Sequence, residues 1–227
     1  MQTQIANTRF TDDAIVPPLV TLVDLTRLVE SGMPTYPGDP PVAVESHADF
    51  DTDGYRVSHL ELGTHAGTHV DAPSHTEPDG RTLDTYAVED LRFTARVVDC
   101  RGVGVGELVG RDAVPDGAVD DVDFLVFRTG WEREWGTERM TDHPALAPET
   151  GQWCADHGVS VGIDALSPDP TGGDGVPVHH AVLGAELLIV ENLCGLEALP
   201  VDREFDLFVM PLRVDADGAP ARVVAEV

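Results

Sequence analysis

The sequence reads as α/β: a single compact domain with a mixed, barrel-like β-sheet and few short helices. Three observations carry that reading. Apolar, β-branched runs of strand length recur along the chain. Segments with helical punctuation are fewer and fall between those runs. No internal repeat, low-complexity linker or sharp composition shift divides the 227 residues, a length that fits one domain with a sizeable core.

Residues 1–18 are polar and end in Val16-Pro17-Pro18; they are expected to form an N-terminal arm ahead of a domain spanning 19–227. No basic stretch followed by an apolar one opens the chain, so no signal peptide is expected. Leu19–Leu25, Val42–Ser46 and Arg56–Leu62 are expected strands, and Val88–Leu91 a turn of helix. Ala95–Cys100, Phe124–Arg128 and Val159–Asp164 are apolar runs with turn residues close by. Between the last two, Pro148 to His157 predicts a helix, with Pro and Glu149 in its first turn and Gly158 as its stop. Val178–Gly184 predicts a second helix, and Leu187–Glu191, Leu207–Val214 and Arg222–Glu226 the remaining strands.

Charge narrows the function classes. The chain has 41 acidic residues, 26 Asp and 15 Glu, against 14 basic ones, all Arg, for a net charge of −27. Such a surface neutralises neither nucleic-acid phosphates nor an anionic membrane face. A hydrophobic fraction of 42% separates the chain from disordered acidic segments. No apolar run approaches the ~20 residues that span a bilayer. The absence of Lys and the excess of Asp predict a cytoplasmic protein adapted to molar salt, where the Debye length shrinks to roughly 3 Å and carboxylates keep the surface hydrated. Cys100, Cys154 and Cys194 are scattered and form no CxxC pair, which predicts reduced thiols acting as small buried hydrophobes.

The informative stretch is Thr64-His65-Ala66-Gly67-Thr68-His69-Val70-Asp71-Ala72-Pro73-Ser74-His75. It gathers three of the nine histidines and a carboxylate, nitrogen and oxygen ligands suited to Zn²⁺, Mn²⁺ or Fe²⁺. Gly67, Thr68, Val70 and Pro73 disfavour a helix, so the motif is expected on a loop leaving the Arg56–Leu62 strand. Gly67 would let the backbone turn tightly enough for the imidazoles to converge. Downstream lie His179-His180 and, closing an apolar run, Glu191. A carboxylate there is either solvent-facing or buried with a compensating partner such as a metal. Asp164, Ser167 and Asp169 could shape a pocket or be an ordinary polar loop. Arg128 and Trp131 are expected in structural roles, and His47, His59, His143 and His157 at the surface or in packing.

His65-x-Gly-Thr-His69-x-Asp71-x-Pro-x-His75 resembles the signature of the cyclase family of metal-dependent hydrolases, in its kynurenine formamidase branch. Asp24-Leu25-Thr26, Gly32 to Asp39, Leu125 to Trp131, Gly162-Ile163-Asp164, Ser167-Pro168-Asp169, Glu191-Asn192-Leu193, Pro211-Leu212 and Pro220-Ala221-Arg222 resemble its other blocks. The resemblance implies a swivelling β/β/α-like fold, a homodimer or homotetramer, and two divalent metals, zinc or alternatively manganese. His65 and His69 match ligands of the first metal and His179 that of the second. Asp71 and Glu191 match carboxylates shared by both, and His75 the proton donor and acceptor. The His179–Glu191 pair matches a dinuclear arrangement rather than the mononuclear one of isatin hydrolase-like members. Tyr36 stands at a substrate-facing position that is Trp in kynurenine formamidases. The implied activity is hydrolysis of N-formylkynurenine to kynurenine and formate by activated water. The alternatives are a sister hydrolase of a cyclic imide, isatin-like amide or lactone, and a catalytically silent metal- or ligand-binding protein.

Overall fold

A computed structural model describes residues 20–227, except 116, 118 and 120. The expected arm and the first residue of the expected first strand lie outside the described residues. The strands are β1 (Leu22–Asp24), β2 (Ala43–Ala48), β3 (Val57–Glu61), β4 (His69–Asp71), β5 (Arg92–Asp99), β6 (Leu108–Val109), β7 (Phe124–Arg128), β8 (Ala145–Leu146), β9 (Ser160–Ile163), β10 (Ile189–Glu191), β11 (Phe205–Pro211) and β12 (Gly218–Glu226). The helices are α1 (Phe50–Asp53), α2 (Pro148–Asp156) and α3 (Pro177–Gly184), with short 3₁₀ turns between elements, one of them Val88–Leu91.

Eight strands form one sheet in the order β1-β12-β11-β5-β7-β9-β10-β4, and a further pairing of β12 with β4 closes it into a barrel with β1 appended. β5, β7, β9 and β10 run parallel. The other ring pairings are antiparallel, so the sheet is mixed. β2 and β3 form a separate hairpin, and β6 and β8 a two-residue parallel pair.

Alternation along the strands divides the core in two. Phe124 and Val126 of β7, Val190 of β10, Val70 of β4 and Leu207 of β11 point into the barrel. Leu125, Phe127, Val161, Ile163 and Ile189 point outward and are covered by Val178, Val182 and Leu183 of α3 and Cys154 of α2. Strands buried on both faces read as continuous apolar runs, which is why β7 is legible to the residue.

Several boundaries differ from expectation. The sequence predicts a loop for the histidine motif; its second half, His69–Asp71, is instead strand β4, held by partners on both edges. Pairing there overrides weak local propensity. The expected strand Leu207–Val214 ends at Pro211, and the last strand begins at Gly218, four residues before Arg222, because Gly218 to Pro220 pair with β4. The short elements α1, β6 and β8 have no apolar run to announce them.

The barrel interior leaves no room at Gly162. A Cβ there would lie 2.7 Å from Phe124 Cε1 and 3.0 Å from Leu193 Cδ1. Gly162→Ala is therefore expected to cost about 1–3 kcal/mol by overpacking, read as a lowered denaturation midpoint with an unchanged m-value.

Candidate metal centre

The site lies outside the barrel wall, where β4 and β10 meet the start of α3. The β4–β10 register pairs Glu191 with His69 and Ile189 with Asp71. Residues two apart share a face. With Val70 and Val190 turned into the barrel core, His69, Asp71 and Glu191 are turned out toward α3. Gly67, at φ +65° and with its would-be Cβ only 2.9 Å from Met33 Cε, makes the tight turn that brings His65 back over β4.

Two side-chain groups share Asp71: His65, His69 and Asp71, and Asp71, His179 and Glu191. Each group offers ligand atoms lying within 4.8 Å of one another. Each carboxylate faces both groups. Asp71 Oδ1 lies 2.7 Å from His65 Nδ1 and 3.2 Å from His69 Nε2, while Oδ2 lies 3.7 Å from His179 Nε2. Glu191 Oε2 lies 3.3 Å from His69 Nε2, and Oε1 3.3 Å from His179 Nε2. The cluster is buried: His69 is 1% exposed, Asp71 0%, His179 4% and Glu191 6%.

Neighbours orient the rings. His69 Nδ1 donates to the Gly67 carbonyl at 2.9 Å, which turns Nε2 toward the two carboxylates as the nitrogen available to a metal. His179 Nδ1 donates to Asp169 Oδ2 at 2.7 Å, and the same carboxylate accepts the Val178 and His179 amides at the start of α3. This is the carboxylate–histidine arrangement that orients metal-ligating imidazoles. His69 Nε2 and Asp71 Oδ2 are buried without a hydrogen-bond partner. Orphaned polar atoms in a cluster of this donor set fit a metal ion, which would satisfy both.

Burial alone would lower the His69 pKa, but Asp71 and Glu191 hold it well above the ordinary imidazole value. Burial would likewise lower that of His179; Asp169, Asp71 and Glu191 hold it well above. In His65 the same penalty is outweighed by Asp71 and Asp217. Burial would raise the Asp71 and Glu191 pKa values, and Asp71 also pushes Glu191 up; the facing histidines hold both below the ordinary carboxylate range.

The cluster floors a cavity of about 240 Å³. His75, at the end of the 3₁₀ turn Pro73–His75, stands on its rim with Nδ1 3.2 Å from Asp217 Oδ2. Tyr36, Trp135, Leu166, Pro170 and Val176 form a largely apolar wall. His180, next to His179, turns away to Glu77 at 2.8 Å. Asp164 does not line the cavity; it accepts from Thr129 and Gly130 and fastens the loop after β7. Trp131 Nε1 is likewise held by the Arg139 and Met140 carbonyls.

Sequence reasoning missed Asp217 and Trp135. Asp217 is one of 26 aspartates and lies 152 and 142 positions from the two histidines it touches, so spacing gave no signal. Trp135, with Arg27 stacked at 4.2 Å from its ring centroid, shares a charged run with Trp131, and nothing local marks which of the two faces the cavity.

A family model described as Putative cyclase matches residues 23–170. The chain is 32% identical over 216 residues to kynurenine formamidase of Salinibacter ruber, covering 90% of this chain and 97% of that protein. It is 34% identical over 204 residues to kynurenine formamidase of Erythrobacter litoralis, covering 88% and 91%. Among solved structures it resembles isatin hydrolase A from Ralstonia solanacearum, with a TM-score of 0.82 and 25% identity over 92% of each chain. The barrel, the ordered motif blocks and these likenesses along nearly the whole chain agree, and the protein belongs to the cyclase family.

Proposed function

We propose that the protein is a metal-dependent amide hydrolase that cleaves an aryl formamide, N-formylkynurenine, to kynurenine and formate. One observation carries this reading: a buried cradle whose two carboxylates each face two histidine groups opens directly under an aromatic wall, with a further histidine at the rim. His65, His69, Asp71 and Glu191 would hold one ion, and His179 with Asp71 and Glu191 a second. The nitrogen and oxygen donors suit zinc, with manganese the alternative. When bound, such ions supply charge that polarises a carbonyl and lowers the pKa of water toward about 7.

The chain's own residues do the rest. Tyr36 and Trp135 receive the aryl ring. His75 takes a proton from water as it attacks the formyl carbon, then delivers it to the nitrogen as the C–N bond breaks. The products are an arylamine and formic acid, which releases its remaining proton to solvent as formate. A second reading, a cyclic amide such as isatin, draws support from the fold likeness to isatin hydrolase. The complete His179–Glu191 half-site favours the first. The acidic, lysine-free composition supports a cytoplasmic enzyme of a high-salt cell. Hairpin β2–β3, with every residue of β3 exposed, supports a homodimer or homotetramer.

In molar KCl, the protein is expected to hydrolyse N-formylkynurenine and to carry two metal ions per chain by elemental analysis. Faster turnover of isatin would select the second reading; metal without turnover of any amide, imide or lactone would select a silent binding protein. His75→Ala is expected to lower kcat by ~10²–10⁴ with metal content near normal; loss of metal instead would make His75 a ligand. Asp71→Asn is expected to lose both ions, and full occupancy in that variant would sink the shared-carboxylate assignment.

The charge balance makes metal binding pH-dependent. In the metal-free protein, the raised histidine pKa values contribute stability that is full below the ordinary 6.5 and is lost as pH rises through the folded values. The depressed carboxylates contribute stability above the ordinary 3.8 and 4.5, lost as pH falls through their folded values. Metal requires deprotonated imidazoles, so the Tm gap between metal-loaded and chelator-treated protein is expected to widen as pH rises above the ordinary 6.5 and through the raised folded values. A constant gap would count against these histidines as ligands.

A further inference from the structure

We propose that Asp217 is a positioning residue that couples the metal-facing His65 to the proton-transferring His75 and sets the tautomer of both rings. The inference rests on the proposed hydrolase reading for the role of His75. One oxygen, Asp217 Oδ2, lies 2.9 Å from His65 Nε2 and 3.2 Å from His75 Nδ1. The two rings sit 4.1 Å apart between centroids. An ionised carboxylate only accepts, so both nitrogens facing it carry their protons. His65 Nδ1 faces Asp71 Oδ1 at 2.7 Å and is the nitrogen that a metal would take, while Nε2 keeps its proton, donated to Asp217. His75 is left with Nε2 as the atom that exchanges a proton with substrate.

The backbone builds this placement. The Asp217 carbonyl accepts the Ala72 amide at 2.8 Å, and the Ala216 carbonyl accepts that of Leu83 at 3.0 Å. These bonds flank the turn that carries His75. The next residue, Gly218, pairs with Asp71 in the seam that closes the barrel. A Cβ on Gly218 would lie 2.9 Å from both His65 Cε1 and Val70 O, so the chain passes against the imidazole as only glycine allows. Barrel closure thus delivers the carboxylate to two histidines remote from it in sequence.

The same three side chains could instead hold a cation of their own. His65 would then have to serve as ligand through both ring nitrogens and lose its last proton. Separations of 2.9 and 3.2 Å are ordinary for N–H···O bonds, and the hydrogen-bonded reading needs no such deprotonation.

The test compares Asp217→Ala with Asp217→Asn, which keeps an acceptor and loses the charge. Asp217→Ala is expected to lower kcat ~10–100-fold with KM little changed, and to weaken zinc retention against a chelator by a similar factor. Asp217→Asn should recover much of both. In the double variant His75→Ala/Asp217→Ala, kcat should fall little below that of His75→Ala alone, because Asp217 acts through that ring. Unchanged zinc retention, or multiplicative losses in kcat, would overturn the coupling. A drop from three zinc ions to two in the alanine variant would replace it with a cation site. Zinc retention needs no turnover, so the His65 half of the proposal is tested even if no substrate is found.

Discussion

Two carboxylates, Asp71 and Glu191, are buried against one another beneath the cavity floor, and the surrounding architecture answers to that fact. Two like charges taken out of water together are strongly unfavourable unless positive charge meets them. The compensation comes from His65, His69 and His179, and no arginine lines the cavity among its described residues. Imidazoles can surrender their protons, so the positive charge in this pocket can be exchanged for metal. A permanent guanidinium could not be. The scarcity of basic residues on the surface is thus matched by their absence around the cluster, for a different physical reason.

Strand register holds the arrangement. Val70 and Val190 enter the barrel core while their neighbours face the site, so a slip of one residue in β4 would drive His69 and Asp71 into the apolar interior. The three residues of β4 also close the ring, pairing with β10 on one edge and β12 on the other. Barrel stability and ligand geometry therefore depend on the same backbone hydrogen bonds. α3 adds the last histidine through Asp169, which satisfies the helix's first amides and holds the His179 ring with the same oxygens.

How much of this is legible in the chain depends on whether the signal is local. β7 and α2 announce themselves, one by an unbroken apolar run and the other by Pro148 and Gly158. The histidine motif is legible because histidine is rare here and the spacing is short. β4 is not, since Gly67 and Pro73 flank it and only its two partners make it a strand. The first residues of β12 are invisible for the same reason. Asp217 reaches the site through the barrel seam, and nothing in an aspartate-rich sequence distinguishes it from hydrated surface. Asp169 was visible only as one polar residue after a strand; its value lies in where α3 begins.

The cavity wall has a different origin from its floor. The histidines and carboxylates of the floor sit on or against elements that close the barrel or cover it. Tyr36 lies in the connection between β1 and β2, and Trp135 follows the 3₁₀ turn after β7; neither belongs to a strand. Mutations in those connections can reshape the wall without disturbing the register below it. Inheritance can therefore act on the two layers separately. A change of substrate can thus be made in the wall alone, with the ligand-bearing floor left as it is.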